Sequence, residues 1–210
     1  MSKFRLYHYW RSSSSWRVRW ALAIKQIDCE WVDVDLLSGE SESAAHLERN
    51  PLGYVPVLDV SPQLRLIESL PIIEWLDEKY PKPALLPKDP DLRAKTRILA
   101  EIINAGTQPI QNLSVTLLHA PENQAEQKKW MQHWTRNGLQ AYETLVKGTA
   151  GKFSVGDSLT LADLCLIPQV YNANRQSVDL SPFPTVSRIY AAARETETCK
   201  KAEPEAFEPK

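Results

Sequence analysis

The 210-residue sequence predicts a small mixed α/β domain followed by an all-helical one. Three observations carry this. The first 80 residues alternate strand-period runs with helix-period runs. Four prolines crowd into the ten residues from Pro81 to Pro90. Beyond them the apolar residues recur at steps of three and four.

The elements follow in order. Lys3 to Tyr9 alternates Phe4, Leu6 and His8 with Arg5, Tyr7 and Tyr9, as a short strand does. Ser12 to Ser15 then offers caps for a helix carrying Val18, Ala21 and Leu22. Glu30 to Asp35 alternates strictly and reads as a second strand. A short helix through Ala44, Ala45 and Leu47 ends at Asn50-Pro51, because a residue before proline disfavours helix. Tyr54–Leu58 and Leu64–Ile67 read as two more strands around the turn Ser61-Pro62. Ser69 opens a helix bearing Ile72, Ile73, Leu76 and Tyr80. The order is β-α-β-α-β-β-α over residues 1–80, then a stiff linker over 81–90. Residues 91–210 read as helices, with stripes at Leu92, Thr96, Leu99, Ile103 and Gly106, and at Met131, Trp134, Gly138, Ala141 and Leu145. Pro109 and Pro168 are expected to kink helices from within.

Composition excludes several functions. Lys+Arg 25 against Asp+Glu 26 creates no field for nucleic acid. No apolar run approaches the ~18 residues of a membrane span, and the N-terminus lacks a secretory pattern. Cys29, Cys165 and Cys199 form no CxxC, and His8, His46, His119 and His133 form no HExxH, so neither a disulfide framework nor a metal site is expected. Cytoplasmic is the default location.

The candidate chemistry starts at the serine run. Ser12 to Ser15 is either a plain cap or a place where a helix N-terminus stabilises an anion such as a thiolate, and Arg11, Arg17 and Arg19 flank it. Val55-Pro56 breaks a strand pattern. It is either an ordinary trans turn or a cis peptide that frees the Val55 backbone for an extended ligand. Glu68-Ser69 is a cap, or a grip on an ammonium and a carboxylate together. Thr160 and Asp163 read as a structural capping box, and Cys165 as an inert core thiol. Arg175 ends an apolar helix, where arginine usually faces water.

Ser12 to Arg19 resembles the Ser-Ser-Cys-x-x-Arg-Val-Arg signature of zeta-class glutathione transferases, the class that includes maleylacetoacetate isomerase. The likeness continues through Asn50-Pro51, Val55-Pro56, Glu68-Ser69, Gln108 to Ser114, Val155 to Asp157, Thr160 to Leu166, Pro168 to Val170 and Val178 to Leu180. It implies a glutathione transferase fold: a thioredoxin-like α/β N-terminal domain and an all-α C-terminal domain, paired as a homodimer. It also implies glutathione as cofactor and an unsaturated diketo acid as substrate. Val55 before Pro56 would pair with the cysteinyl backbone, and Glu68 and Ser69 would hold the γ-glutamyl end. Ser15, Trp16 and Arg17 belong to the same implied glutathione-binding stretch, and Gln108, Asn112, Leu113 and Ser114 come close to the ligand. Ser12, with Ser13 and Ser14, would serve the sulfur. Arg11 and Arg175 would clamp the substrate's anionic groups. The implied activity is glutathione-dependent cis–trans isomerisation of maleylacetoacetate to fumarylacetoacetate, in tyrosine and phenylalanine breakdown.

Ser14 stands where the signature has cysteine. A hydroxyl can still donate to a thiolate but forms no mixed disulfide. Maleylpyruvate isomerisation and glutathione transfer to α-halo acids use the same machinery and remain alternatives. A non-catalytic binding protein of the same fold is the further one, and the presence of Ser12 argues against it.

Overall fold

In the computed structural model residues 3–209 are described. The chain divides into two compact units, cut between Leu85 and Leu86 inside the proline-rich stretch. The described residues from Thr196 onward group with the first unit. The sequence pattern had assigned them to the helical part, because their short helix gives no sign of where it packs.

The first unit holds β1 (Phe4–His8), α1 (Ser13–Ile24), β2 (Cys29–Asp33), α2 (Ala44–Leu47), β3 (Val57–Ser61), β4 (Leu64–Ile67) and α3 (Ser69–Lys79). One 3-10 turn, Glu40–Glu42, precedes α2. The sheet order is β2-β1-β3-β4. β1 runs parallel to β2 and antiparallel to β3, which pairs antiparallel with β4. The predicted element order therefore stands, with shifted bounds: β2 ends at Asp33 rather than Asp35, and β3 begins at Val57 rather than Tyr54, after the cis Val55–Pro56 bond. α1 packs on α3 and is buried nearly all round, so Trp16, Val18, Trp20 and Leu22 lie in the core and Arg17 and Arg19 must find partners there.

Below α3 the chain is tied back by Lys25. Its Nζ donates to Asp77 Oδ1 at 2.6 Å, to the Tyr80 carbonyl at 2.6 Å and to the Pro83 carbonyl at 2.5 Å. Asp77 also accepts the Leu85 N–H at 2.8 Å. The first unit closes with α9 (Glu197–Lys200) and a 3-10 turn, Pro204–Ala206.

The second unit contains α4 (Pro90–Asn104), α5 (Leu113–His119), α6 (Gln124–Val146), α7 (Leu161–Arg175) and α8 (Pro184–Arg194). Leu161 to Val170 is buried without a break, which makes α7 the core helix. Pro168 lies inside it as expected, but Pro109 does not kink a helix: it sits in the turns between α4 and α5. Gly138 brings α6 against the turn after α4, since a Cβ there would overlap the Thr107 side chain. Ala141 and Leu145, on the predicted stripe, face outward instead. No helix among the described residues is long and apolar enough to cross a membrane.

Candidate active site

The β1–α1 turn builds the first part of the site. Ser12 caps α1 with extended backbone (φ −66°, ψ 123°), and its hydroxyl oxygen accepts the Ser15 N–H at 3.2 Å. Its own N–H donates to the Tyr9 carbonyl at 3.0 Å. A hydroxyl that accepts in this way keeps its proton to donate. Ser12 is half-buried and the first turn of α1 carries no acidic residue, so the helix end stays electropositive. Ser13 is buried and Ser14 half-buried. Ser15 is fully buried, with its hydroxyl oxygen turned to the Tyr9 N–H at 3.4 Å. Trp16 is part of the core. The inward side of the turn is thus structural, and Ser12 with Ser14 forms its accessible side.

Arg17 is buried and donates through Nη1 to Ser69 Oγ at 3.2 Å. This joins the α1 turn to the β4–α3 junction and leaves the Ser69 proton able to donate. Glu68, just before, holds φ 65° and ψ 124°, a backbone region that costs a non-glycine residue about 1–3 kcal/mol. Its carboxylate makes no capping bond to α3 and is exposed.

The loop before β3 is held from inside. His46 Nε2 and Asn50 Nδ2 both meet the Tyr54 carbonyl, at 3.1 and 3.0 Å, and Asn50 Oδ1 accepts the Leu52 N–H at 3.1 Å. Among the described residues neither the N–H nor the C=O of Val55 pairs with another backbone group. The Val55 backbone therefore offers one donor and one acceptor beside the cis Pro56.

Arg11 is half-buried, 4.9 Å from the Trp10 ring, and donates to the Tyr9 hydroxyl at 3.0 Å. Burial, with the Arg19 charge adding to it, pushes His8 down to about 3, so the imidazole is neutral near pH 7. Burial also pushes the Cys29 thiol up to about 12, which keeps it inert. All three cysteines are buried, and none forms a disulfide among the described residues.

In the second unit the segment from Gln108 to Ser114 leads into α5. Asn112 caps α5, its side chain accepting the Leu113 N–H at 2.9 Å, and Asn112, Leu113 and Ser114 are exposed. Beside them Gln111, which the sequence reading did not single out, is buried. It donates to Gln169 Oε1 at 2.7 Å and accepts from Thr135 Oγ1 at 2.5 Å, and Gln169 reaches back to Thr135 at 3.5 Å. The ring ties this segment to α6 and α7. Arg175 is the last residue of α7 and is exposed. Among the described residues no group of three or more His, Cys, Asp or Glu could hold a metal ion.

A thioredoxin-like sheet with a cis-proline before β3, a serine-capped α1 and a helical second unit define a glutathione transferase fold. The glutathione S-transferase N-terminal domain family matches residues 6–84, the C-terminal domain family matches residues 110–201, and the chain belongs to the glutathione S-transferase family. Its relatives place it in the zeta-class, maleylacetoacetate isomerase branch. Mouse maleylacetoacetate isomerase is 46% identical over 186 residues, covering 88% of this chain and 84% of the mouse protein. A crystal structure of maleylacetoacetate isomerase from Anaeromyxobacter dehalogenans 2CP-1 with glutathione in its active site is 45% identical, covers 97% of this chain and 95% of that one, and superposes with a TM-score of 0.89. A zeta-class bacterial maleylpyruvate isomerase is 40% identical over 96% of this chain and 97% of its own, with a TM-score of 0.92.

Proposed function

We propose that this protein is a glutathione-dependent isomerase that converts maleylacetoacetate to fumarylacetoacetate. The observation that carries the proposal is the Ser12 hydroxyl at the N-terminus of α1, with its oxygen held by the Ser15 N–H and its proton available to a sulfur anion. The residues present fit glutathione: an unpaired Val55 backbone for a peptide strand, and Glu68 with Ser69 for an amino-acid end. Bound glutathione would supply a thiolate that adds reversibly to the cis double bond, so that rotation can occur before it leaves.

The chain's own residues make that possible. Donation by Ser12 and the positive end of α1 both favour the charged form of a thiol, lowering its pKa from the usual ~8.5. Ser14 adds a second, weaker hydroxyl donor on the same side. The Ser69 hydroxyl, oriented by Arg17, donates to a carboxylate, while the Glu68 carboxylate accepts from an ammonium. Gln108, Asn112, Leu113 and Ser114 complete the glutathione contacts. Arg11 and Arg175 are the anion clamps for the diketo acid.

A second reading, maleylpyruvate isomerisation, has its own support in the 40% identical maleylpyruvate isomerase. The proposal extends to the cytoplasm, to tyrosine and phenylalanine breakdown and to a homodimer. Exposed Ile98 on α4, exposed Leu145 on α6 and an open cavity of about 450 Å³ lined by Asn137, Gln140, Ala141, Thr144 and Leu145 support the dimer.

Single-residue variants test the assignment. Ser12→Ala should lower kcat/KM by about 10²-fold or more, as loss of a key donor to a reacting anion does. Ser13→Ala should do less, because that side chain is buried. Arg175→Ala should weaken turnover more than glutathione affinity. Equal losses at Ser12 and Ser13, or a pure glutathione defect at Arg175, would overturn these roles.

A further inference from the structure

Arg19 lies in the second turn of α1 and is 1% exposed, yet among the described residues no carboxylate forms an ion pair with it. Its guanidinium is spent on backbone carbonyls. Nε donates to Ala202 at 2.9 Å, Nη1 to Tyr9 at 3.2 Å and Nη2 to Trp10 at 2.9 Å. The Phe207 ring lies 4.6 Å from its Cζ, in cation–π contact, and packs in turn on Trp31 and His8 with ring centroids 5.0 and 5.3 Å away.

The Tyr9 carbonyl is shared. It accepts from Arg19 and also from the N–H of Ser12 at 3.0 Å. One oxygen atom therefore separates the guanidinium from the backbone of the residue that caps α1. On the other side, Ala202 and Phe207 belong to a segment some 180 residues further along the chain, the Ala202 bond spanning 183. Neither the sheet ladder nor the helix needs these bonds to form. They hold the Tyr9–Trp10 and Trp10–Arg11 peptide units, which lead through Arg11 into Ser12.

We propose that Arg19 is a positioning residue for Ser12, and that through it the chain from Thr196 to Phe207 is a working part of the turn that activates the thiol. This rests on the reading that Ser12 donates to the glutathione sulfur. The titratable groups facing Arg19 are His8, whose Nδ1 lies 3.4 Å away, and Asp33, which acts on it at longer range. His8 stays neutral, and burial brings Arg19 down only to about 9, so the guanidinium keeps its charge near pH 7.

The test uses the full-length protein with Phe207→Ala and Arg19→Lys. Phe207→Ala removes the aromatic face and leaves every bond of Arg19 possible. Arg19→Lys keeps the charge and loses the planar fork. Hydrogen exchange is followed at the amides of residues 10–15, with and without glutathione. Both variants should speed that exchange about tenfold while the second unit keeps its protection. Both should lower kcat about tenfold, leave KM within about twofold, and move the pH of half-maximal turnover upward, because a misplaced Ser12 lowers the thiol pKa less. Should Arg19→Lys fail to fold, Phe207→Ala decides alone. Unchanged exchange at residues 10–15 in folded Phe207→Ala overturns the coupling. Faster exchange with an unmoved pH profile overturns the positioning role. A wild-type protein that turns over no substrate sinks the isomerase reading and the catalytic role with it, while the exchange result still judges the coupling.

Discussion

Asp163 is a carboxylate with no solvent exposure, and replacing it with alanine should cost about 3 kcal/mol of stability. One oxygen accepts the Ser154 N–H at 2.8 Å; the other accepts the Thr160 N–H at 2.8 Å and the Thr160 hydroxyl at 2.9 Å. Alanine leaves two buried backbone donors, each costing about 1.5 kcal/mol unsatisfied, and takes the acceptor from the Thr160 hydroxyl, worth about 1 kcal/mol. Against this, burial raises the Asp163 carboxyl pKa, so the charged form carries a desolvation cost that alanine escapes and that offsets part of the loss. The balance is about 3 kcal/mol. Urea unfolding followed by tryptophan fluorescence, with a slope of about 3 kcal/mol/M for a chain of this size, should place the midpoint about 1 M lower. Asp163→Asn keeps one acceptor and should fall between. A shift under about 0.3 M for the alanine variant would refute the accounting of those donors.

Lys25→Met should leave Asp77 and two carbonyls buried without their cation, costing about 3–5 kcal/mol; thermal melting should fall by more than about 5 °C, and a change within about 2 °C would contradict the clamp. His8 gives a pH signature: its native pKa of about 3 lies below the unfolded value of 6.5, so between those values the unfolded chain binds the extra proton. Its contribution is complete above 6.5 and is lost as pH falls, at about 1.4 kcal/mol per unit, or about 2 kcal/mol by pH 5. His8→Asn should remove that acid slope, as urea titrations at pH 7 and pH 5 would show; parallel slopes would mean that the imidazole is already protonated in the folded protein, beside the Asp33 carboxylate 3.5 Å away.

Local signals were legible and long-range ones were not. The Ser12 cap, the Glu68-Ser69 junction and the Thr160–Asp163 box announce themselves because capping needs particular side chains within a few residues. The proline cluster marked the boundary between the units because no helix or strand can run through it. The start of β3 was misplaced because a cis bond and a trans bond before Pro56 read alike in sequence. Arg19, Lys25 and Gln111 were invisible as structural pins for a different reason: their partners lie 183, 52 and 58 residues away. A clue existed for Arg19, since an arginine between Val18 and Trp20 in an apolar helix has no water to face. Ala141 and Leu145 show the reverse failure, an apolar stripe that points outward where a core face was expected.

The most direct measurement of the account is isomerisation of maleylacetoacetate by the purified protein, with and without glutathione, followed by NMR of the product and run in parallel with maleylpyruvate. Conversion to fumarylacetoacetate that requires glutathione is the predicted result, and it would establish that Ser14 serves where relatives of this class carry cysteine. Turnover of maleylpyruvate alone would transfer the same site to the shorter substrate. Glutathione binding with no turnover of either substrate would contradict the isomerase account.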